Sequence, residues 1–221
     1  HGTSHLYVSK RAADLLGKSP KDCNIITMHI GNGVSCSAIS GGISVDTTMG
    51  LTPLEGAIMG TRCGDIDPAM PMFMQEQLGV GPKEMDTLLN KKSGLLGITG
   101  KFTDRRDILS GAETGDKRCQ LAVEMECYKL RKILGSYAAA LGKVDAIVFT
   151  AGVGENAGEI RQRVVEGLDC LGIDVDKHKN LNTRSKHGET EISTAYSKIK
   201  VFVIPTNEEL VFVEDVVGIL D

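Results

Sequence analysis

Apolar and polar residues fall along this chain in blocks whose period switches between that of a helix and that of a strand. Ser4 to Leu16 has Leu6, Ala13 and Leu16 as apolar positions and stops at Gly17, which predicts a short helix. A β-rich run follows, Asn24-Ile25-Ile26-Thr27-Met28-His29-Ile30, then Gly31-Asn32-Gly33, then a second run, Val34-Ser35-Cys36-Ser37-Ala38-Ile39. Asn-Gly between two such runs predicts a hairpin through a type I′ turn, whose two central residues need positive φ. Gly41-Gly42 repeats the arrangement before Ile43-Ser44-Val45-Asp46, so three antiparallel strands in a meander are expected.

Short helices are predicted at Pro53–Gly60, Pro68–Leu78 and Pro82–Asn90, with Asp67 as the N-cap before Pro68 at the first helical position. The longest helix spans Asp116 to Gly142, where Val123, Cys127, Leu130, Leu134, Tyr137, Ala138 and Leu141 recur on one face. Val144 to Thr150 reads as a buried strand, Gly152 to Asn156 as a turn, and Ala157 to Leu171 as a helix. Asn156 and Glu159 have the spacing of a capping box. Strands at Gly188–Ser197 and Lys200–Pro205 and a closing helix from Asn207 complete the pattern. Helices alternating with strands after a meander give an α/β class with a mixed sheet.

Composition narrows the function classes. A chain of 221 residues forms one large domain or two small ones, and 41% hydrophobic with 24% charged residues is ordinary for a globular protein. The formal net charge of −4 and the absence of a dense Lys/Arg block give no reason to expect a nucleic-acid partner. No apolar run reaches the length of a membrane span, and no signal-peptide core is present. None of the six cysteines has Cys-x-x-Cys spacing, so neither a zinc site nor a redox pair is suggested. They read as reduced, buried thiols of a cytoplasmic protein.

Three segments follow strands and carry candidate chemistry: His29-Ile30-Gly31-Asn32-Gly33, Gly152-Val153-Gly154-Glu155-Asn156 and Thr206-Asn207-Glu208-Glu209. Glycine lets a backbone approach a phosphate closely, although an Asn-Gly turn by itself only reverses the chain. A strand, a Gly-x-Gly turn and a helix start form a more specific signal, because helix N-terminal N–H groups favour anions. Arg62 sits in Met59-Gly60-Thr61-Arg62-Cys63-Gly64-Asp65-Ile66-Asp67-Pro68. A guanidinium there suits a transferring phosphoryl group, and the competing reading is a surface ion pair with Asp65 or Asp67. His1 and His5 lie four apart and share a helix face, with nothing nearby to complete a metal site. His29 reads equally as a satisfied structural histidine, and Glu208 and Glu209 as residues favoured by a helix dipole.

Together these stretches resemble the acetate/propionate/butyrate kinase family. The matching segments are His1-Gly2-Thr3-Ser4-His5, His29 to Gly33, Asp46-Thr47-Thr48-Met49-Gly50, Thr52-Pro53-Leu54-Glu55-Gly56, Met59 to Arg62, Gly64 to Pro68, Asp104-Arg105-Arg106-Asp107, Gly152 to Asn156 and Thr206 to Glu209. They run from the first residues almost to the last. The resemblance implies one lobe of the sugar kinase/Hsp70/actin (ribonuclease H-like) fold. Residues 1–221 would be the C-terminal nucleotide-binding lobe, with the N-terminal lobe absent and the helix from about 207 to 221 packing back onto it.

The resemblance also implies site roles. His1 and Arg62 would contact the phosphoryl group in the transition state, with His5 in support. His29, Ile30, Gly31, Asn32 and Gly33 would lie at the nucleotide phosphates. Asp104, Arg105, Arg106, Gly152, Val153, Gly154, Glu155 and Asn156 would line the nucleotide pocket, and Glu208 would serve Mg²⁺. Cys63 stands where the family more usually has serine. The implied reaction is reversible in-line phosphoryl transfer from ATP to acetate, giving ADP and acetyl phosphate, in a homodimeric cytoplasmic enzyme. Propionate or butyrate as acceptor, or nucleotide binding without catalysis by this chain alone, remain open alternatives.

Overall fold

The apolar run Asn24–Ile30 is strand β1, buried from Ile25 to its end, and Ala146–Thr150 is β4, buried throughout. They pair in parallel, with Ile25 opposite Ala146 and His29 opposite Thr150. Strands covered on both faces carry apolar residues at successive positions instead of alternating ones, as in Ile25-Ile26 and Ile147-Val148. The computed structural model describes residues 1–220, so Asp221, the last position of the expected closing helix, lies outside the described residues.

Strands β2 (Val34–Ser40), β3 (Ile43–Thr47), β5 (Thr190–Glu191) and β6 (Lys200–Val203) complete a six-stranded sheet ordered β3-β2-β1-β4-β6-β5. β6 runs parallel to β4, while β3 and β5 run antiparallel to β2 and β6. The mixed α/β class read from the sequence is therefore the observed one. Helix α1 (Gly2–Leu15) covers the sheet centre, packing Val8, Ala12 and Ala13 with Ile25, Val148 and Phe202.

The remaining helices are α2 (Met70–Leu78), α3 (Pro82–Lys91), α4 (Gly94–Thr99), α5 (Arg105–Glu113), α6 (Lys117–Leu141), α7 (Ala151–Asn156), α8 (Gly158–Val165), α9 (Lys177–Asn182) and α10 (Glu208–Leu220). α10 lies against α1. The chain divides into two compact units: His1–Gly31, Ser35–Thr47 and Arg131 onward form the first, Asn32–Val34 and Thr48–Leu130 the second. No helix among the described residues is long and apolar enough to cross a membrane.

Several local expectations are corrected. The β1–β2 connection has three residues, Gly31 to Gly33, so no two-residue Asn-Gly turn forms there. That geometry falls instead at Gly41 (φ 59°) and Gly42 (φ 80°), between the partners Ser40 and Ile43. Pro53–Gly60 is not a helix, because its backbone bonds elsewhere. The Gly56 N–H donates to the Asp65 carboxylate at 2.8 Å, and the Asp65 N–H returns to the Gly56 carbonyl at 3.0 Å. Asp67 does not cap α2; its carboxylate accepts from the N–H of Ala69, the residue just before the helix, at 2.8 Å.

Gly152–Asn156 is helical, where a turn was expected. α8 ends at Val165, well before Leu171, and a 3₁₀ turn follows at Asp169–Leu171. Asn156 does not cap α8, since its carboxamide bonds the Gly152 carbonyl and Ser185. The strand expected at Gly188–Ser197 is only Thr190–Glu191, and the one at Lys200–Pro205 ends at Val203. Helices α4, α5 and α9 were unanticipated. None of the six cysteines is in a disulfide among the described residues, as expected, but Cys170 is exposed and Cys63 half-buried.

Candidate functional site

The first unit gathers three histidines at one end of β1. His29 is the penultimate residue of that strand, and α1 brings His1 and His5 beside it. The His1 and His29 rings stack with centroids 3.8 Å apart and planes 22° apart, and His5 meets His29 edge-on at 6.1 Å. Hydroxyls hold every ring. Ser35 Oγ lies 2.8 Å from His1 Nδ1 and 2.8 Å from His5 Nε2. Thr27 Oγ1 lies 2.7 Å from His5 Nδ1, and Ser4 Oγ lies 2.9 Å from His29 Nδ1. Thr206 in turn donates its hydroxyl to Ser4 Oγ at 2.8 Å.

Burial and charge decide the state of this cluster. Burial lowers the His5 pKa to about 4. His29 is lowered to about 4 by burial first, then by His5. Both rings are therefore neutral near pH 7. His1 stays exposed at the edge. A neutral His29, held at Nδ1 by Ser4, can donate a hydrogen bond to an anion without adding a buried charge.

The α7 segment is adjacent in the same unit. A Cβ built on Gly154 would sit 3.6 Å from the Met28 carbonyl and 3.8 Å from Ile30 Cβ, so the helix rides close against β1. Arg161, fully buried on α8, fixes it from behind. Its guanidinium donates to the Gly154 carbonyl at 2.8 Å, to Asn180 Oδ1 at 2.8 Å, and to the Asn180 and Thr183 carbonyls at 2.6 and 3.0 Å. Carbonyl dipoles stand in for a carboxylate here, and burial lowers the Arg161 pKa to about 10. Glu155 accepts from the Thr206 N–H at 3.1 Å, tying α7 to the chain entering α10. Asn207 Oδ1 accepts from the Leu210 N–H at 3.1 Å. Glu208 opens α10 half-buried, with no hydrogen bond or ion pair among the described residues.

The second unit holds the other candidates. Gly60 donates its N–H to the Asn32 carbonyl at 3.1 Å, and a Cβ on Gly60 would meet Asn32 Oδ1 at 2.2 Å. The Arg62 loop is stapled by Met59 N–H to the Arg62 carbonyl (3.2 Å) and by Thr61 Oγ1 to the Asn90 carbonyl (2.9 Å). Arg62 pairs with neither Asp65 nor Asp67. Its Nη1 lies 3.5 Å from both the Pro53 carbonyl and Met59 Sδ, while Asp65 pairs with Lys129. Among the described residues its guanidinium has no carboxylate partner. Asp104 caps α5 through the Arg106 N–H and takes the exposed Arg106 side chain at 2.6 Å, which holds its pKa down to about 2. Arg105 turns inward to a buried ion pair with Glu126 at 2.8 Å.

The structure thus brings His1, His29, Ile30, Gly154, Glu155 and the Glu208 helix start into one unit. Gly31 follows β1 in the same unit, whereas Asn32, Gly33, Arg62 and Asp104 to Arg106 belong to the other. Sequence reasoning missed Thr27, Ser35 and Arg161, and quoted Ser4 and Thr206 within motifs without giving them a role. Ser4, Thr27 and Ser35 sit where a faint signal existed: hydroxyl residues inside an apolar helix face and two apolar strands, buried here at 0 to 2% exposure. Among the described residues no three His, Cys, Asp or Glu side chains, the histidine cluster included, are arranged to hold a metal ion. A lone uncommitted carboxylate such as Glu208 fits the way Mg²⁺ takes one or two carboxylates beside phosphate oxygens and waters.

A mixed sheet with parallel central strands, carrying a hydroxyl-anchored imidazole cluster at the carboxyl end of β1, defines an α/β ligand-binding fold with an anion-suited site. The chain belongs to the Acetokinase family, whose model matches residues 1–214. It is 63% identical over 221 residues to the acetate kinase of Geobacter metallireducens, covering all of this chain and 52% of that protein. Its fold superposes on the crystal structure of Porphyromonas gingivalis acetate kinase with a TM-score of 0.97 at 44% identity, covering 100% of this chain and 55% of the other. A propionate kinase structure from Francisella tularensis gives 0.88, also at 44% identity, covering 96% and 53%. The chain spans about half the length of the curated relatives it matches.

Proposed function

We propose that this chain supplies one half of an acetate kinase, which transfers the γ-phosphoryl group of ATP to acetate and runs in reverse from acetyl phosphate. The observation that carries the reading is the hydroxyl-anchored His1–His29 stack in a chain of this family. Phosphoryl transfer through a loose transition state asks for positioning and for neutralisation of spreading charge, with little covalent work. His1 donates to the phosphoryl oxygens, and Arg62, unpaired with any carboxylate among the described residues, supplies positive charge.

His29 to Gly33 line the nucleotide phosphates. Asp104 to Arg106 and Gly152 to Asn156 are assigned to the nucleotide pocket. Of these, Arg106 and Asp104 remain outward, while Arg105 holds the wall through Glu126. Glu208 is the residue of this chain that would hold Mg²⁺, whose chemistry when bound is to neutralise phosphate charge. We further infer a cytoplasmic homodimer with an N-terminal lobe as partner, on the family resemblance alone.

The equal 44% identity to acetate and propionate kinase structures favours keeping propionate as a second acceptor. Acyl phosphate formation by the protein at its relatives' full length, measured with ATP and acetate, propionate or butyrate, tests both readings. Acetate is expected to give the highest kcat/KM, and this chain alone to bind ATP and ADP in calorimetry without turnover. No acyl phosphate from any of the three acids would refute the proposal.

A further inference from the structure

Two hydroxyl chains end on the two stacked imidazoles, and each has a fixed direction. In the first, Thr206 Oγ1 donates to Ser4 Oγ at 2.8 Å. The Ser4 hydrogen is then left for His29 Nδ1 at 2.9 Å. An Nδ1 that accepts leaves the ring proton on Nε2.

The second chain runs Thr27 Oγ1, His5 Nδ1, His5 Nε2, Ser35 Oγ, His1 Nδ1, with successive distances of 2.7, 2.8 and 2.8 Å across its hydrogen bonds. Thr27 is fully buried, and among the described residues His5 Nδ1 is the one acceptor its hydroxyl reaches. Were the chain reversed, His5 would donate to Thr27 and the threonine hydrogen would be buried with no acceptor, which is costly. Thr27 therefore donates. His5, held neutral by burial, passes the direction on by donating Nε2–H to Ser35. The Ser35 hydrogen goes to His1 Nδ1.

We infer that Ser35 and Ser4, aligned by Thr27–His5 and by Thr206, are positioning residues that lock His1 and His29 as Nε2–H tautomers and so present a stacked pair of imidazole donors to an anion. The stack geometry of 3.8 Å and 22° keeps the two rings parallel. The use of the pair on a phosphoryl group rests on the function proposed above, whereas the tautomers do not depend on it. Neither serine touches the reacting atoms; each acts through the ring it holds.

Ring ¹⁵N chemical shifts distinguish pyrrole-type from pyridine-type nitrogens and give the tautomer of each histidine directly. In the ligand-free chain above pH 7, His1, His5 and His29 are expected each to show a single Nε2–H form. Ser35→Ala is expected to release His1 into a mixture of tautomers and leave His29 unchanged; Ser4→Ala is expected to do the converse. An Nδ1–H form or a mixture at His1 or His29 in the unmodified chain overturns the inference, and so do unchanged ring shifts in both variants. In the protein at its relatives' full length, Ser35→Ala is expected to lower kcat about tenfold with the nucleotide KM unchanged. A shifted tautomer with unmoved turnover would keep the relay and remove His1 from the proposed chemistry.

Discussion

At the scale of single residues, charge placement in this protein follows burial more than sequence neighbourhood. Arg62 has two aspartates within five positions and pairs with neither, whereas Arg105 finds Glu126 across 21 positions. Arg161 has no carboxylate at all and is held by three carbonyls and an amide oxygen. That arrangement was illegible in the sequence because a carbonyl partner belongs to no residue type. The motif histidines were legible, but their hydroxyl anchors were not: serine and threonine inside apolar runs look like ordinary variation.

His5 gives the residue-scale prediction. Its folded pKa of about 4 lies below the ordinary value of 6.5, so between those values the unfolded chain binds more protons than the folded one. Its contribution is complete above about pH 6.5 and is lost as the pH falls towards about 4, a difference of roughly 3 kcal/mol for such a shift. His29 acts in the same direction. Urea unfolding at pH 7.5 and pH 4.5 should show a clear loss for the unmodified chain and a smaller loss for His5→Gln. Equal losses in both would exclude His5 as a source of acid sensitivity.

At the scale of elements, β1 and the long helix were readable because their periods are regular; β1 lacks glycine and proline, and α6 carries its apolar stripe past a single interior glycine, Gly135. α6 and β1 came out within a residue of expectation. Glycine misled the reading in both directions. Gly94, Gly97 and Gly100 hid α4, where Gly94 is needed because a Cβ would lie 2.2 Å from the Met59 carbonyl. Gly152 and Gly154 suggested a turn where α7 forms, since the sharp change of direction is made one residue earlier, at Ala151. Its φ of +66° is the one left-handed value at a non-glycine position among the described residues.

L-residues other than glycine resist that conformation by about 1–2 kcal/mol. Ala151→Gly is therefore expected to leave stability equal or raise it by up to about 1 kcal/mol. Ala151→Val should lower it by more than about 1 kcal/mol, because a β-branched residue tolerates positive φ least. Chemical denaturation of both variants checks this. A marked loss on Ala151→Gly would show that the conformation is not strained.

At the scale of the whole molecule, the α/β class and the family were legible because many motif segments keep a fixed order along the chain. Spatial grouping was not legible. A linear motif such as His29 to Gly33 gives no sign that Asn32 and Gly33 cluster with the Arg62 loop while His29 and Ile30 cluster with the imidazoles. Strand order could not be read either, because β4 enters between β1 and β6 from far along the sequence.

We propose roles in phosphoryl transfer for both His1 and Arg62. Steady-state kinetics of Arg62→Ala, in the protein at its relatives' full length, tests this proposal most directly. Arginine contacts to a transferring phosphoryl group are worth about 10³–10⁵ in rate in other enzymes. A fall in kcat of about 10³ or more with nucleotide affinity little changed is expected. Turnover near that of the unmodified protein would contradict it.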